Sequence, residues 1–272
     1  MKARIVFLGT GGDSIVVGKQ LRASGGIILQ VDDNQFHIDP GPGALVRARQ
    51  EDISMRENTA VLVSHAHINH CNDVNAVISA MTHAGLDKTG VLVGNKTVIN
   101  GEGEIKPYVT DFYKNCVERY IALDQGAKIG INEVDIKTLY TRHGTDINTI
   151  GFKFFTPEFT LSYTSDTEYS TALVDAHKNS DILILNVVNP SGIKQEGLMN
   201  TDDAINLISK VKPNLAIITH FGIKMLSVNP MTEARNITKQ TKVQTIAAKD
   251  GLVVNPLSYA AKGKQKTLTG YK

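Results

Sequence analysis

Short apolar runs recur along the chain and end at glycine, proline, asparagine or aspartate, the punctuation of β-strands. In the first part they predict strands at 5–8, 27–31, 35–38 and 59–63, with a short helix at 44–50. Within 71–84 the apolar positions are Val74, Val77, Ile78 and Met81. That i, i+3, i+4, i+7 spacing predicts an amphipathic helix starting near Asn72 or Asp73. Brief strands are expected at 91–93 and 97–99, and 108–122 fits helix and strand equally. Further on, strands are predicted at 127–131, 135–140, 151–155, 160–164, 182–188 and 215–219, and helices at 171–178, 201–211 and 231–241. Strands at 242–247 and 252–254 close the pattern. The run at 182–188 is apolar for most of its length and that at 215–219 nearly so, which marks buried strands. Thr201 is expected to cap the helix it opens, with Asp202 and Asp203 in the first turn where the helix dipole favours them. Strands lead and helices follow in each half, an order that layers as two sheets with helices outside.

Composition narrows this picture. A chain of 272 residues with 42% hydrophobic residues can bury a substantial core, and no low-complexity linker divides it, so one domain over 1–272 is expected. Residues 85–130 read as an inserted lid or a dimer arm, which leaves a homodimer open, and 260–272 as a polar, Lys-rich tail. Lys+Arg 29 against Asp+Glu 27 leaves a formal charge of +2. So small a bias gives no electrostatic reason to expect DNA or a membrane surface as partner. No stretch approaches the ~18 apolar residues of a membrane span. Two cysteines, Cys71 and Cys116, without a CxxC exclude a disulfide framework and point to a reducing, cytoplasmic setting.

The chemistry-bearing signal is in the histidines. Three of eight, His65, His67 and His70, lie within six residues, between an apolar strand and a helix start. Two histidines two positions apart point the same way from extended backbone, and a rigid strand ending in a short loop suits metal ligation. Three further polar residues share the same placement at strand ends: His143, Asp166 and His220. Polar residues at several strand ends are how a fold gathers ligands from distant sequence into one site.

In this order the residues resemble the metallo-β-lactamase superfamily of metallohydrolases. Its motif H-x-H-x-D-H is matched by His65-Ala66-His67-Ile68-Asn69-His70, and its later His, Asp and His by His143, Asp166 and His220. Phe7-Leu8-Gly9-Thr10-Gly11-Gly12 and Phe36-His37-Ile38-Asp39-Pro40-Gly41 are also similar to the family. The resemblance runs from residue 4 to about residue 255. It implies an α+β fold, a four-layer αββα sandwich of two mixed β-sheets. It implies one or two divalent transition metal ions, zinc first, with manganese or iron as alternatives. His65, His67 and His143 would hold the first ion, Asp166 would bridge, and His70 and His220 would hold the second, with hydroxide between the ions as nucleophile. Asp166, Asn69 and His220 are the residues expected to carry catalysis.

Asn69 departs from the family, which has aspartate there. A neutral amide ligates weakly and cannot take a proton near neutral pH, so a weakened second site and an altered reaction are expected. The last third is most similar to the phosphodiesterase and ribonuclease Z-like branch. The tRNA-processing members carry a His–Glu pair after the strand at 182–188, where this chain has Asn186-Val187-Val188-Asn189. A general acid is worth ~10²–10⁴-fold, so its absence and the near-neutral charge argue against RNA as substrate. The expected activity is hydrolysis of a small phosphodiester or related ester. The alternatives are a catalytically degenerate metal-binding protein with a structural or interaction role, and a ribonuclease-type phosphodiesterase.

Weaker signals have plainer readings. Gly9-Thr10-Gly11-Gly12 lacks the third glycine and the helix of a dinucleotide loop and is read as backbone that approaches substrate. Asp39 is either a turn residue before Pro40 or a hydrogen-bond partner of a ligand histidine. His37 reads as an ordinary strand residue, His83 as a helix-end cation, His177 as solvated beside Lys178, and Cys71 as a buried free thiol.

Overall fold

The computed structural model describes residues 2–144 and 148–260. Among these residues the strands form two seven-stranded sheets. The first takes β1 (Ala3–Gly9), β2 (Ser24–Val31), β3 (Asn34–Ile38), β4 (Ala60–Val63), β5 (Val91–Asn95) and β6 (Arg119–Leu123). The second takes β7 (Lys128–Ile131), β8 (Val134–Leu139), β9 (Gly151–Phe155), β10 (Thr160–Tyr163), β11 (Ile182–Asn186), β12 (Leu215–Thr219) and β13 (Thr245–Ala247). A last short strand, β14 (Val253–Val254), returns to the first sheet beside β1.

Side-chain alternation builds the layers. Ile5, Phe7, Leu29 and Phe36 of the first sheet pack against Phe152, Phe154, Leu161 and Ile184 of the second. Their strand neighbours Val6, Leu8, Ile28 and Val61 point the other way, under Val74, Val77, Ile78 and Met81 of the helix Val74–Thr82. Leu183, Leu185, Ala216 and Ile218 likewise face outward under Ala204, Leu207 and Ile208 of the helix Thr201–Val211. Each side chain so buried contributes ~1.5–3 kcal/mol, which the two-residue period directs to an inner or outer core. The result is the expected αββα sandwich of two mixed sheets.

Strand directions place the chemistry. β3, β4, β5 and β6 are mutually parallel, as are β10, β11, β12 and β13. β1 runs with β3 through two antiparallel steps, and β8 runs with β10 in the same way. The carboxyl ends of β1, β3 and β4 in one sheet, and of β8, β10, β11 and β12 in the other, carry the loops that meet at one edge. Ligands gather outside the carboxyl ends of strands in open sheets.

Several local expectations change. Residues 97–99 lie in a helix, Lys96–Asn100, because the Asn95 side chain accepts the Thr97 N–H and caps it. The stretch 108–122 is both helix, Asp111–Cys116, and strand, β6. Residues 85–130, read as a lid or arm, supply β5 and β6 to one sheet and most of β7 to the other. The cap of Thr201–Val211 is Asn200, not Thr201, in a capping box with Asp203. A short helix, Ser14–Gly18, capped by Asp13, does follow the glycine loop. The expected tail lies, beyond residue 260, outside the described residues. No helix among the described residues is long and apolar enough to cross a membrane.

Candidate metal centre

The six predicted ligand residues meet at the shared edge, in two groups. His65, His67, His143 and Asp166 form one, and His70, Asp166 and His220 the other, each with its ligand atoms within 4.8 Å of one another. β4 delivers the first three histidines: the strand ends at Val63, the chain bends at Ala66, His67 is extended, and the turn Ile68–Cys71 swings His70 inward. In the first group His67 Nδ1 lies 3.0 Å from His65 Nε2 and 3.2 Å from His143 Nε2. Asp166 Oδ2 lies 4.0 Å from His65 Nε2 and 3.9 Å from His143 Nε2. In the second, His70 Nε2 is 2.9 Å from His220 Nε2 and 3.4 Å from Asp166 Oδ2.

Hydrogen bonds on the far side of the rings set their tautomers. Asp39 accepts from His70 Nδ1 at 2.9 Å, so of the two readings of Asp39 the ligand-partner one holds. Asp39 also accepts from the Ser64 N–H and Oγ–H and from the Tyr163 hydroxyl. The Ser64 hydroxyl proton thus goes to Asp39, and its oxygen accepts from His65 Nδ1 at 3.0 Å and from Ser165 Oγ at 2.8 Å. His143 Nδ1 donates to the Gly197 carbonyl at 2.8 Å. With Nδ1 so committed, each of these three rings presents Nε2 toward the centre, the arrangement expected of ligating histidines. The Tyr163–Asp39 and Ser165–Ser64 bonds also tie the second sheet to the first.

Burial and charge act in the same sense. Burial and the neighbouring rings push His65 well below its ordinary pKa. Burial and His143 lower His67, and burial lowers His220 to about 4 against the pull of Asp166. Those rings stay neutral, the form that ligates. His70 goes the other way: burial alone would lower it, but Asp166 and Asp39 on either side raise it to about 10. Burial would raise Asp166, yet His220 and His70 hold it well below the usual carboxylate range. A position between two buried carboxylates favours positive charge, which a cation supplies.

The residues fit a divalent transition ion. An ion 2.0–2.1 Å from each nitrogen sets tetrahedral neighbours roughly 3.3 Å apart, near the separations in the first group. Imidazole with carboxylate is a donor set for zinc and its borderline neighbours and does not choose among them. The backbone is strained here too: Asp39, Ser165 and His220 have φ of 53°, 55° and 63°, the left-handed region that non-glycine residues seldom adopt. Such strain persists where the surrounding structure fixes it and gathers at functional sites.

Asn69 stands at the second group with its amide nitrogen, 2.8 Å from the Gly12 carbonyl oxygen and 3.0 Å from His220 Nε2. The glycine loop packs closely on the backbone of the second group. A Cβ on Gly12 would lie 2.2 Å from the His220 carbonyl oxygen, and one on Gly9 would lie 2.4 Å from the Ala23 backbone. Gly12 N–H donates to Phe221 O, and Phe221 N–H to Thr10 O, so the loop straps the His220 turn to the first sheet. His37 is buried with Nε2 on the Gly25 carbonyl, and His177 is fully buried rather than solvated. His83 sits just past its helix in left-handed conformation, and Cys71 is a buried free thiol. Sequence reasoning missed Ser64, Tyr163, Ser165 and Asn186. Their only signal is a polar residue where each apolar strand stops.

The chain matches the beta-lactamase superfamily domain over residues 34–221. The uncharacterized protein MJ1374 of Methanocaldococcus jannaschii is 34% identical over 260 residues, 95% of this chain and 97% of the relative. Ribonuclease Z of Borreliella burgdorferi is 22% identical over 157 residues, 57% of this chain and 48% of that enzyme. Among solved structures, the metallo-β-lactamase fold protein YhfI from Bacillus subtilis aligns with a TM-score of 0.76 at 18% identity, covering 93% of this chain and 99% of that one. A diphosphatase from the PhnP family aligns at 0.68, also at 18% identity, covering 93% and 97%. The matched region holds every predicted ligand residue from His65 to His220, and the chain belongs to the β-lactamase superfamily, with the metallo-β-lactamase fold.

Proposed function

We propose that the chain is a metal-dependent hydrolase of a small phosphodiester or a related ester. The observation that carries this reading is the pair of ligand groups sharing one buried carboxylate, Asp166, at the edge where both sheets end. His65, His67, His143 and Asp166 would hold one divalent ion, and His70, Asp166 and His220 a second. Such ions supply acidified water near neutral pH and neutralise charge that develops on the substrate. The chain's own residues fix the geometry. Ser64, Asp39 and Gly197 lock the tautomers of His65, His70 and His143. Asn69 takes no proton, because its amide is neutral and one of its N–H groups is engaged by Gly12.

The likeness to the PhnP-family diphosphatase and to ribonuclease Z favours phosphorus esters over other esters. A near-neutral charge gives little attraction for a polyanion, which favours a small substrate over RNA. Metal analysis after metal-replete expression, followed by a panel of chromogenic phosphodiesters, thioesters and lactones with Zn, Mn or Fe, tests the reading. The expected result is at least one equivalent of transition metal and turnover highest on a phosphodiester. Less than about half an equivalent of any transition metal overturns it, since the chemistry resides on a bound ion. Metal without turnover favours the degenerate, structural reading that Asn69 suggests.

A further inference from the structure

In the second ligand group His220 lacks the direct anchor that His70 has. His65, His70 and His143 each place Nδ1 on a serine, a carboxylate or a carbonyl. His220 Nδ1 is buried and makes no hydrogen bond, because Asp166 Oδ1, 3.3 Å away, is not aligned to accept one. Its Nε2 faces the Asn69 amide nitrogen, so Nε2 accepts and Nδ1 carries the proton. A second buried atom is also without a partner, Asn186 Oδ1. The orientation of that amide is fixed, because Asn186 Nδ2 donates to Asp166 Oδ1 at 2.7 Å and to the Tyr163 hydroxyl oxygen at 3.2 Å, while the Tyr163 proton goes to Asp39. His220 and Asn186 line the same small cavity, of about 30 Å³, with Thr219, Tyr163, His70 and Asp39 beside them. A buried donor and a buried acceptor on two residues that line one cavity with room for a water molecule make a hydration site.

Resting on the metal-centre reading, we infer that an ordered water in this cavity accepts from His220 Nδ1–H and donates to Asn186 Oδ1. Asn186 is then the positioning residue of the second ligand group. One end of its amide holds the shared carboxylate by Oδ1, leaving Oδ2 toward His65, His70 and His143. The other end steers His220 through the water. No residue of the first group other than Asp166 touches this bridge.

Two measurements test it. The first is metal titration of the native protein and of Asn186→Leu, which removes both amide atoms. The expected result is a second equivalent weakened by about 10–100-fold and a first weakened at least fivefold less, since only the hold on the shared Asp166 reaches it. A variant that merely loosens the fold would weaken both alike. The second is a high-resolution crystal structure of the native protein, which needs no variant to fold. It is expected to show density within hydrogen-bond reach of both atoms. Two ions bound by Asn186→Leu as tightly as by the native protein, or a dry cavity, overturn the inference and leave the metal-centre reading standing. A native protein that binds no metal at all overturns that reading instead.

Discussion

The two ligand groups share Asp166 but are built to different standards. The first has three histidines besides the carboxylate, and two of them, His65 and His143, are pinned by direct protein hydrogen bonds. The second has two histidines, of which only His70 is pinned directly, and its remaining neighbour is the neutral amide of Asn69. An ion held by four preset donors from strand ends binds with little reorganisation. An ion held by three, one of them loosely anchored, would bind more weakly and exchange faster. The contrast teaches that an unchanged ligand list does not guarantee equal sites, because the anchoring of each ligand sets how much of its affinity is realised.

The strongest way to break the comparison is to delete one ligand from each side. His143→Ala is expected to remove the first ion and lower turnover by roughly 10³-fold, the equivalent of several kcal/mol of lost charge stabilisation. His220→Ala is expected to leave one equivalent bound and to cost less. Metal analysis with kcat/KM reads both, and equal metal loss in the two variants would show that the groups bind as one unit. Next in size is Gly12→Ala, whose methyl would press on the His220 backbone at 2.2 Å. A loss of ~1–3 kcal/mol in denaturant stability is expected, together with selective loss of the second ion. Gly18→Ala, with open space around its Cα, is the matched control. Asn69→Asp sharpens the comparison from the other direction. Adding a carboxylate to the second group should tighten the second ion by about tenfold or more, measured by calorimetric titration.

The smallest effect lies outside the centre, at His177, buried in the last turn of the helix Thr171–His177 with neither ring nitrogen bonded. Burial, with Lys153 nearby, lowers its pKa to about 3. The unfolded chain, with the ordinary value of 6.5, binds more protons between those values, so stability is fully present above 6.5 and falls as pH drops toward 3. His177→Leu should remove about 1 kcal/mol of that loss by pH 5.5, seen as a flatter thermal midpoint against pH, with metal titration unchanged. Part of the slope stays, because burial also depresses His37, to about 4.

The sequence made most of this legible where one rule governed. Two-residue alternation gave the strands that form both sheets, and the strand-end histidines gave the residues that converge at the centre. It failed where two rules competed. Residues 97–99 are β-rich, but the Asn95 side chain captures the next turn as helix. His177 looked solvated beside Lys178, yet it shares a helical face with Leu173 and Val174, four and three positions earlier, and that face packs inward. Tyr163 and Asn186 carried no motif. Their roles come from which atoms meet across two sheets, and no local pattern encodes that.

The cross-sheet bonds of Tyr163 to Asp39 and of Ser165 to Ser64 have a consequence for how the two halves stay paired. His65, His67 and His70 belong to the amino-terminal sheet, while His143, Asp166 and His220 belong to the carboxy-terminal one. Neither half can grip an ion alone with a complete donor set. An ion gripped by both halves would therefore stabilise the closed sandwich, whose contacts are distant in sequence, and a chelator would loosen the pairing of the halves rather than either half alone.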